Sequence, residues 1–446
     1  MKKILIAVDH KWRDLPSSVL LKLKLEKKGY KVFLCRDNLI PYYEEGIKPD
    51  AIIFVHLYDK ERQVYAKKLR QRNVKVFLLP TEGIPTLESY RKFASGFFND
   101  LSGVEEQFCW NDNMKKIVEK NTSLKKVTTV GVPRFDFYSE KLNKTFISKE
   151  KFCEKYNLDS GFPIITLATN FTQAQFYEKN KKFFKNDSEK LGYKTVFESN
   201  AIDSKQIPEL DYNSREKTME FFSSLVKRNQ NCNFILKTHP SEDFTYYKKF
   251  LSENLKRFKG RIALVNQEYI WDILNVTDIE LSRSCTTAVE SWLLNLPTIE
   301  LRLSENEWYQ SKDFASGSYS CSKPQEYFKL IDSLLEGKNI DNDLKAKREE
   351  FFKEWCYKID GNSTDRLVSR IDKSLKNSSA TLIYKTNVNN FLIYLLLKIS
   401  RNLIHDLKVY GYNIFLQNKL DKLGRIDKYI TEKDITFWEK KLRSYI

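Results

Sequence analysis

The sequence predicts an α/β protein of two consecutive Rossmann-like domains facing a central cleft, followed by a helical C-terminal tail. Three observations predict it. Short apolar runs alternate with helix-like stretches, the pattern of βαβ units and a parallel sheet. The alternation occurs twice, and the polar, charged stretch from Ser139 to Lys149 separates the two series as a linker would. From Asp341 onward the strand signals stop and the chain reads as helical. The expected domains are therefore residues 1–140, 148–340 and 341–446.

In the first series, Lys3 to Val8 has the pattern of a buried strand, and Asp9 to Pro16 reads as a polar loop. Ser17 would cap a helix running to about Lys28, with Gly29 as its stop. Strands are expected at Lys31 to Cys35, Ala51 to His56 and Lys75 to Leu79, with a charged helix from Glu61 to Arg72. The fourth strand ends in Pro80-Thr81-Glu82-Gly83-Ile84-Pro85. Phe108 to Trp110 reads as a strand and Asn111 to Lys120 as a helix. Val127 to Val130 then leads into Gly131-Val132-Pro133-Arg134-Phe135-Asp136.

The second series opens with an apolar run from Phe162 to Ala168 that ends in Thr169 and Asn170. Tyr177 to Ser204 has little periodicity and much Lys and Asn, as a long insertion would. An amphipathic helix is expected from Ser214 to Asn229. After it come strands at Phe234 to Leu236, Ile262 to Val265, Asp278 to Leu281 and Thr298 to Leu301. Helices from Thr245 to Phe258, Ile270 to Asn275 and Thr287 to Leu294 lie between them. In the tail, Asp360 to Arg366 carries a turn and a capping signal. Phe391 to Tyr410 alternates faces at helical period. Leu392, Leu395, Leu396, Ile399, Leu403 and Leu407 form an apolar stripe, and Lys398, Arg401, His405 and Lys408 a basic one.

Composition narrows the function classes. Of 446 residues, 41% are hydrophobic and 30% charged, as in a soluble globular protein. No apolar run reaches the length of a membrane span, and Ile4 to Val8 is too short for a signal peptide. Seven cysteines are scattered without a CxxC pair, and four histidines are too dispersed for a zinc motif. Reduced thiols in the cytoplasm are the simplest expectation. The formal charge of +17 asks for an anionic partner. Neither a zinc finger nor an RNP-like motif points to nucleic acid. A phosphate-bearing donor and an anionic membrane surface suit the charge better. GxGxxG and GxxxxGK[ST] are both absent, which argues against a dinucleotide dehydrogenase and a P-loop kinase. Asp272, Asp278 and Glu280 are spread over different elements, and no DxD closes a strand, so neither a metal nor another cofactor is expected.

Two stretches carry the chemistry. Asn233-Phe234-Ile235-Leu236-Lys237-Thr238-His239-Pro240 is a strand ending in a cation, a hydroxyl and an imidazole. Ligands of open α/β sheets bind at such carboxyl ends, and these donors suit a phosphate. Lys237 reads equally well as a solvated charge. Ser282-Arg283-Ser284-Cys285-Thr286-Thr287-Ala288-Val289-Glu290 places hydroxyls where a strand turns into a helix, with backbone N–H groups facing an anion. Ser284, Thr286 and Thr287 can cap that helix, bind phosphate, or do both. Glu290 lies one turn in, where it either meets a ribose hydroxyl or complements the helix dipole.

Lys237-Thr238-His239-Pro240 resembles the KxHP motif of bacterial GT-B enzymes that use cytidine nucleotides: sialyltransferases, Kdo transferases of capsule assembly and CDP-glycerol phosphotransferases. Ser284 to Glu290 resembles their hydroxyl cluster and Glu-bearing helix, and Gly131 to Asp136 their GxPR.D segment. The opening from Val8 to Pro16 is similar to that of proteins of surface carbohydrate biosynthesis. The resemblance covers roughly residues 1–370. It implies a GT-B fold and a metal-independent glycosyltransferase that builds cell-surface polysaccharide. The donor would be a nucleotide-activated sugar, plausibly a CMP-linked acidic sugar, and the acceptor a glycan or lipid-linked chain. His239 would contact the donor phosphate. A CDP-polyol phosphotransferase is the second reading, and a non-catalytic binder of anionic polymer the third.

An acceptor hydroxyl needs a base, since an alcohol is a weak nucleophile at neutral pH. Glu82 is the first candidate. It follows a strand, precedes Gly83, and resembles the acidic-acidic-Gly motif of bacterial sialyltransferases, with Thr81 in place of the first acid. Asp9 and Asp14 are the alternatives. A cytoplasmic location, peripheral at the inner face of the cell membrane, is the matching expectation, with the tail helix either as its attachment or packed back as core between the domains.

Overall fold

The computed structural model describes residues 1–57, 60–82, 100–122, 124–179, 206–304, 312–377, 381–384, 386–409 and 429–446, with side chains 399–409 excepted. Its contacts divide the chain into two compact units. One comprises Met1–Pro85, Ala94–Thr145 and Lys353–Ile446; the other comprises Thr86–Phe93 and Phe146–Phe352.

The first unit holds a parallel sheet of β1 (Lys3–Val8), β2 (Lys31–Arg36), β3 (Ala51–Phe54), β4 (Lys75–Leu78), β5 (Glu106–Cys109) and β6 (Val127–Thr129), in the order β2-β1-β3-β4-β5-β6. Central strands buried on both faces explain the unbroken apolar runs at Ile4–Val8 and Ala51–Phe54. The chain moves outward from β1 in both directions, so the sheet's switch point lies at the carboxyl ends of β1 and β3.

The second unit repeats the architecture with β7 (Ile164–Ala168), β8 (Asn233–Lys237), β9 (Ile262–Val265), β10 (Ile279–Ser282) and β11 (Thr298–Glu300). All pairs are parallel, in the order β11-β10-β7-β8-β9, and the switch point falls between β7 and β10.

Several local expectations are corrected. Asp9 to Pro16 is not a loop: the helix Lys11–Lys27 begins six residues before Ser17 and carries Pro16 inside it. Its start is held by Asp14, whose Oδ2 accepts the His10 N–H at 3.0 Å while the Asp14 N–H bonds the His10 carbonyl at 2.8 Å. That closure near the N-terminus outweighs the one helix bond Pro16 cannot make. The helix expected from Ser214 begins at Ile207, with Pro208 in its first turn, where a proline is tolerated. The hydroxyl-rich helix is Thr286–Leu293, and its N-cap is Cys285. Of the expected insertion from Tyr177 to Ser204, residues 180–204 lie outside the described residues, as does Gly83.

The GxPR.D segment has a structural meaning. Asp136 accepts the N–H groups of Ser363 at 3.0 Å and Thr364 at 2.7 Å, and the Thr364 hydroxyl at 2.6 Å. It thereby caps the helix Ser363–Lys376 from more than 200 residues away in sequence. Gly131 has φ +90°, and a Cβ there would lie 2.6 Å from the Ser363 hydroxyl, so the turn admits only glycine. Further along, Trp438 of the helix Glu432–Arg443 is fully buried and meets Phe137 edge-on at 5.8 Å. Among the described residues no helix is long and apolar enough to cross a membrane.

Candidate functional site

In the first unit the three candidate bases converge on a residue the sequence did not single out. Arg13, on the first turn of its helix, donates to Asp14 Oδ1 at 2.9 Å, Asp9 Oδ2 at 3.2 Å, Thr81 Oγ1 at 3.0 Å and Glu82 Oε1 at 2.7 Å. Asp9 follows β1 and Glu82 follows β4, so one guanidinium ties together strand ends far apart in sequence. Burial works against the Arg13 cation, but the charges of Asp14, Glu82 and Asp9 outweigh it and raise its pKa. Thr81 supplies an acceptor to the same fork. Glu82 is the exposed member, with 55% of its side chain open to solvent, against 17% for Asp9 and 8% for Asp14.

Beside this cluster, Asp9, Asp37 and His56 follow β1, β2 and β3. Their ligand-capable atoms lie within 4.8 Å of one another, a donor set that could hold a divalent cation. Arg62 already supplies positive charge there, at 2.5 Å from Asp37 Oδ2 and 2.9 Å from His56 Nδ1. A small cavity of about 40 Å³ opens nearby, lined by Asp14, Thr81, Trp110 and Arg134. The buried Arg134 guanidinium stacks 5.0 Å from the Trp110 ring centroid.

In the second unit, β8 delivers Lys237, Thr238 and His239 to the carboxyl edge of the sheet. The Lys237 Nζ donates to the Thr238 carbonyl at 2.8 Å. Burial lowers its pKa to about 8, although Cys285, Glu242 and Glu268 oppose the shift. His239 Nδ1 accepts the Ser241 N–H at 3.1 Å, which puts the proton of the neutral ring on Nε2, as a phosphate donor requires. The His239 N–H in turn reaches Thr169 Oγ1 at 3.3 Å. Glu242 accepts from Thr169 Oγ1, Tyr247 Oη and the Phe171 N–H, fixing the loop after β7.

Two strands away, Ser284 lies two residues beyond the end of β10, and its φ of 44° is unusual for a residue with a side chain. It is held there by Glu300, which accepts the Ser284 hydroxyl at 2.8 Å and its N–H at 2.8 Å. Burial pushes the Glu300 carboxyl up to about 6, against those bonds. Thr286 and Thr287 are half-buried in the first turn, and the Thr287 hydroxyl lies 3.2 Å from Cys285 Sγ. Glu290 is only 4% exposed. Sequence reading passed over the pair that braces this turn. Arg283 Nη2 donates to Asp211 Oδ1 at 2.6 Å and to the Asn170 carbonyl at 2.6 Å, joining the ends of β7 and β10 at the switch point. An Arg in a strand-to-helix turn was the one available signal.

Two Rossmann-like units with parallel sheets define a GT-B-like fold. The chain belongs to the CDP-glycerol:poly(glycerophosphate) glycerophosphotransferase family, whose profile matches residues 106–373, more than half of its length. Membership makes it a transferase of surface-polymer synthesis. Among solved structures it is similar to the wall teichoic acid polymerase TagF, at 12% identity and TM-score 0.53, covering 85% of this chain and 90% of that one. It is likewise similar to MnaA of S. aureus, solved with UDP, at 14% identity and TM-score 0.51, covering 86% and 100%. At such identities the likeness is one of fold. No curated protein sequence matches the chain.

Proposed function

We propose that the protein transfers a polyol phosphate from a CDP-polyol donor to a growing surface polymer, with a glycan or lipid-linked acceptor at the inner face of the cell membrane. The observation that carries this reading is the family match, which spans the KxHP strand, the hydroxyl-bearing turn and the GxPR.D segment together. Lys237, His239, Ser284, Thr286, Thr287 and Glu290 form the donor side, with Lys237 and His239 meeting the diphosphate and Glu290 the ribose. Basic side chains and a helix N-terminus take the place a metal would have.

Glu82 is the base, with Asp9 and Asp14 as the alternatives. It removes the proton of an acceptor hydroxyl as that oxygen bonds to the donor's distal phosphorus. The bridging P–O bond then breaks and CMP leaves with the electron pair.

A second reading, transfer of a CMP-linked acidic sugar, is favoured by one feature: Thr81-Glu82-Gly83 resembles the sialyltransferase motif. There the acceptor attacks the anomeric carbon, and CMP leaves again. Because both reactions release CMP, the deciding experiment reads product mass after incubation with CDP-glycerol, a CMP-linked acidic sugar or a UDP-sugar and an oligomeric acceptor. Gain of a glycerol phosphate unit supports the first reading. Gain of the sugar supports the second. Steeply salt-dependent polymer binding without turnover would leave only a binding role.

A further inference from the structure

The turn that leads β10 into the helix Thr286–Leu293 passes through Ser284 in a left-handed conformation, with φ 44°. Glycine takes that conformation without cost. A residue with a Cβ takes it only where its surroundings enforce it. One carboxylate enforces it here. The Ser284 N–H lies 2.8 Å from Glu300 Oε2 and 3.0 Å from Oε1, and the Ser284 hydroxyl donates to Oε1 at 2.8 Å. Ser284 and Glu300 are each only 1% exposed, so water does not compete for these bonds.

Glu300 is itself clamped by the sheet. In the β10–β11 register it stands opposite Ser282, and its side chain reaches past that strand end to the residue two further on. Its N–H donates to the Tyr319 carbonyl at 2.8 Å, and its carbonyl accepts from Tyr327 Oη at 3.1 Å. A sheet-fixed carboxylate therefore dictates how the chain leaves β10. The next residues are Cys285, the N-cap, and Thr286 and Thr287, which open the helix whose first turn would meet the donor phosphates. Strained backbone enforced at such a place points to function.

We propose that Glu300 is a positioning residue for donor binding: it holds Ser284 so that the start of the helix Thr286–Leu293 faces the diphosphate. This role rests on the donor site proposed above and adds to it a residue that acts only through another. Glu300 acts as the carboxylate anion. An anion accepts at both oxygens, and Ser284 brings donors to both. A protonated carboxyl would present an O–H of its own at one of them. Burial pushes the carboxyl up to about 6. The two bonds from Ser284, then Arg302 and Arg283, oppose this, and the like charge of Glu280 on β10, which itself meets Arg348, faces it. Donor affinity should therefore be full above about pH 7 and fall as pH drops through the Glu300 pKa.

Calorimetric titration of the full chain with CDP-glycerol tests it, since both phosphates of that probe stay ionised across the range used. At pH 7.5, Glu300→Ala should bind about tenfold more weakly. Adding Ser284→Gly should recover much of the loss, because glycine holds the left-handed turn unaided. Glu300→Gln keeps an acceptor and cannot ionise. Between pH 7.5 and pH 5.5 wild-type affinity should fall by up to about fourfold, following the share of anion, while Glu300→Gln stays level. A proton gained by His239 would strengthen binding at low pH, the opposite sign, and would do so in both proteins, so their ratio isolates Glu300. Where Glu300→Ala fails to fold, the Glu300→Gln profile decides alone. A Glu300→Gln profile that follows the wild type overturns the proposal, as does wild-type affinity in Glu300→Ala. Failure of Ser284→Gly to recover affinity overturns it too, since Glu300 would then not act through Ser284. His239→Ala separates the two readings. If it binds weakly, those outcomes strike the role of Glu300 alone; if it binds as the wild type does, the donor site lies elsewhere and both fall together.

Discussion

Arg13 Nη1 donates to Glu82 Oε1 at 2.7 Å, while the same guanidinium holds Asp9 and Asp14. Choosing a base among these three carboxylates is thus a question about one shared cation. A neighbouring cation favours the ionised carboxylate and so pulls a carboxyl pKa down. Replacing Arg13 by Gln should therefore move the acid limb of the kcat/KM profile to higher pH and lower the plateau. An Arg13→Lys variant, keeping charge without the fork, should move the limb less. Superimposable pH profiles for Arg13→Gln and wild type would remove Arg13 from any part in positioning the base.

Glu82→Gln preserves shape and removes the base. Donor affinity should stay near wild type while turnover falls by about 10²-fold or more. Asp9→Asn and Asp14→Asn should behave differently, because Asp14 also closes the first turn of its helix through the His10 N–H. Loss of Asp14 should lower the melting temperature as well as activity. Near-normal turnover in Glu82→Gln would pass the role to Asp9 or Asp14.

His239 has two separable duties. Nδ1 accepts the Ser241 N–H and holds the loop, and Nε2 is the side that would meet phosphate. An Asn side chain offers an acceptor for the first duty and no equivalent donor for the second. His239→Asn and His239→Ala should then lose nucleotide affinity alike, by roughly 1.5–3 kcal/mol for a charge-assisted contact. Calorimetric titration with CMP or a CDP-polyol measures it. Rescue of affinity by Asn, but not Ala, would show that His239 serves the loop alone.

The strand ends were legible because burial on both faces writes an unbroken apolar run, and its polar terminus stands out at Lys237, Thr238 and His239. The helix at Lys11 was not legible. Its first turn is polar because Arg13 and Asp14 face the carboxylate cluster, and Pro16 adds a false stop. Arg13 was missed for a related reason: its partners Thr81 and Glu82 are 68 and 69 residues away, and only the parallel sheet brings them near. From sequence, Ser284 reads as a helix cap, a phosphate ligand, or both. Its positive φ, set by Glu300 on the next strand, shifts the capping duty to Cys285. The tail's stripe was legible as an amphipathic helix. The face that packs, at Tyr394 and Leu397, lies outside that stripe and is set by Gly46, a residue with no side chain to advertise the contact.

Asp136 gives a test of the fold rather than of the chemistry. Its carboxylate is buried and accepts three hydrogen bonds from Ser363 and Thr364. Asp136→Ala would strand two buried N–H groups at the start of the helix Ser363–Lys376. The expected loss is about 1–3 kcal/mol, and Asp136→Asn, which keeps one acceptor, should lose less. Denaturant midpoints for both variants check the order. Indistinguishable midpoints for Ala and wild type would mean the cap contributes nothing to stability.

Glu280 carries the pH dependence. It lies on β10 with no exposure. Burial pushes its pKa up to about 8; a hydrogen bond with Ser282 opposes this, the like charge of Glu300 adds to it, and Arg348 opposes it. In the unfolded chain a Glu titrates near 4.3. Between those values the folded protein holds a proton that the unfolded chain has released. Stability must therefore fall as pH rises through this window, with the full cost present above the folded pKa. Glu300, raised to about 6, acts in the same direction over the lower part of the window. Glu280→Gln keeps the shape and cannot ionise, so its fixed cost does not change with pH. The melting temperature of the variant relative to wild type should rise from pH 5 to about pH 8 and level off above it. Parallel melting curves across that range would show that Glu280 is ionised and compensated in the folded protein. In that event Glu280 and Arg348 would form a buried ion pair, and Arg348→Met should destabilise the protein most at high pH.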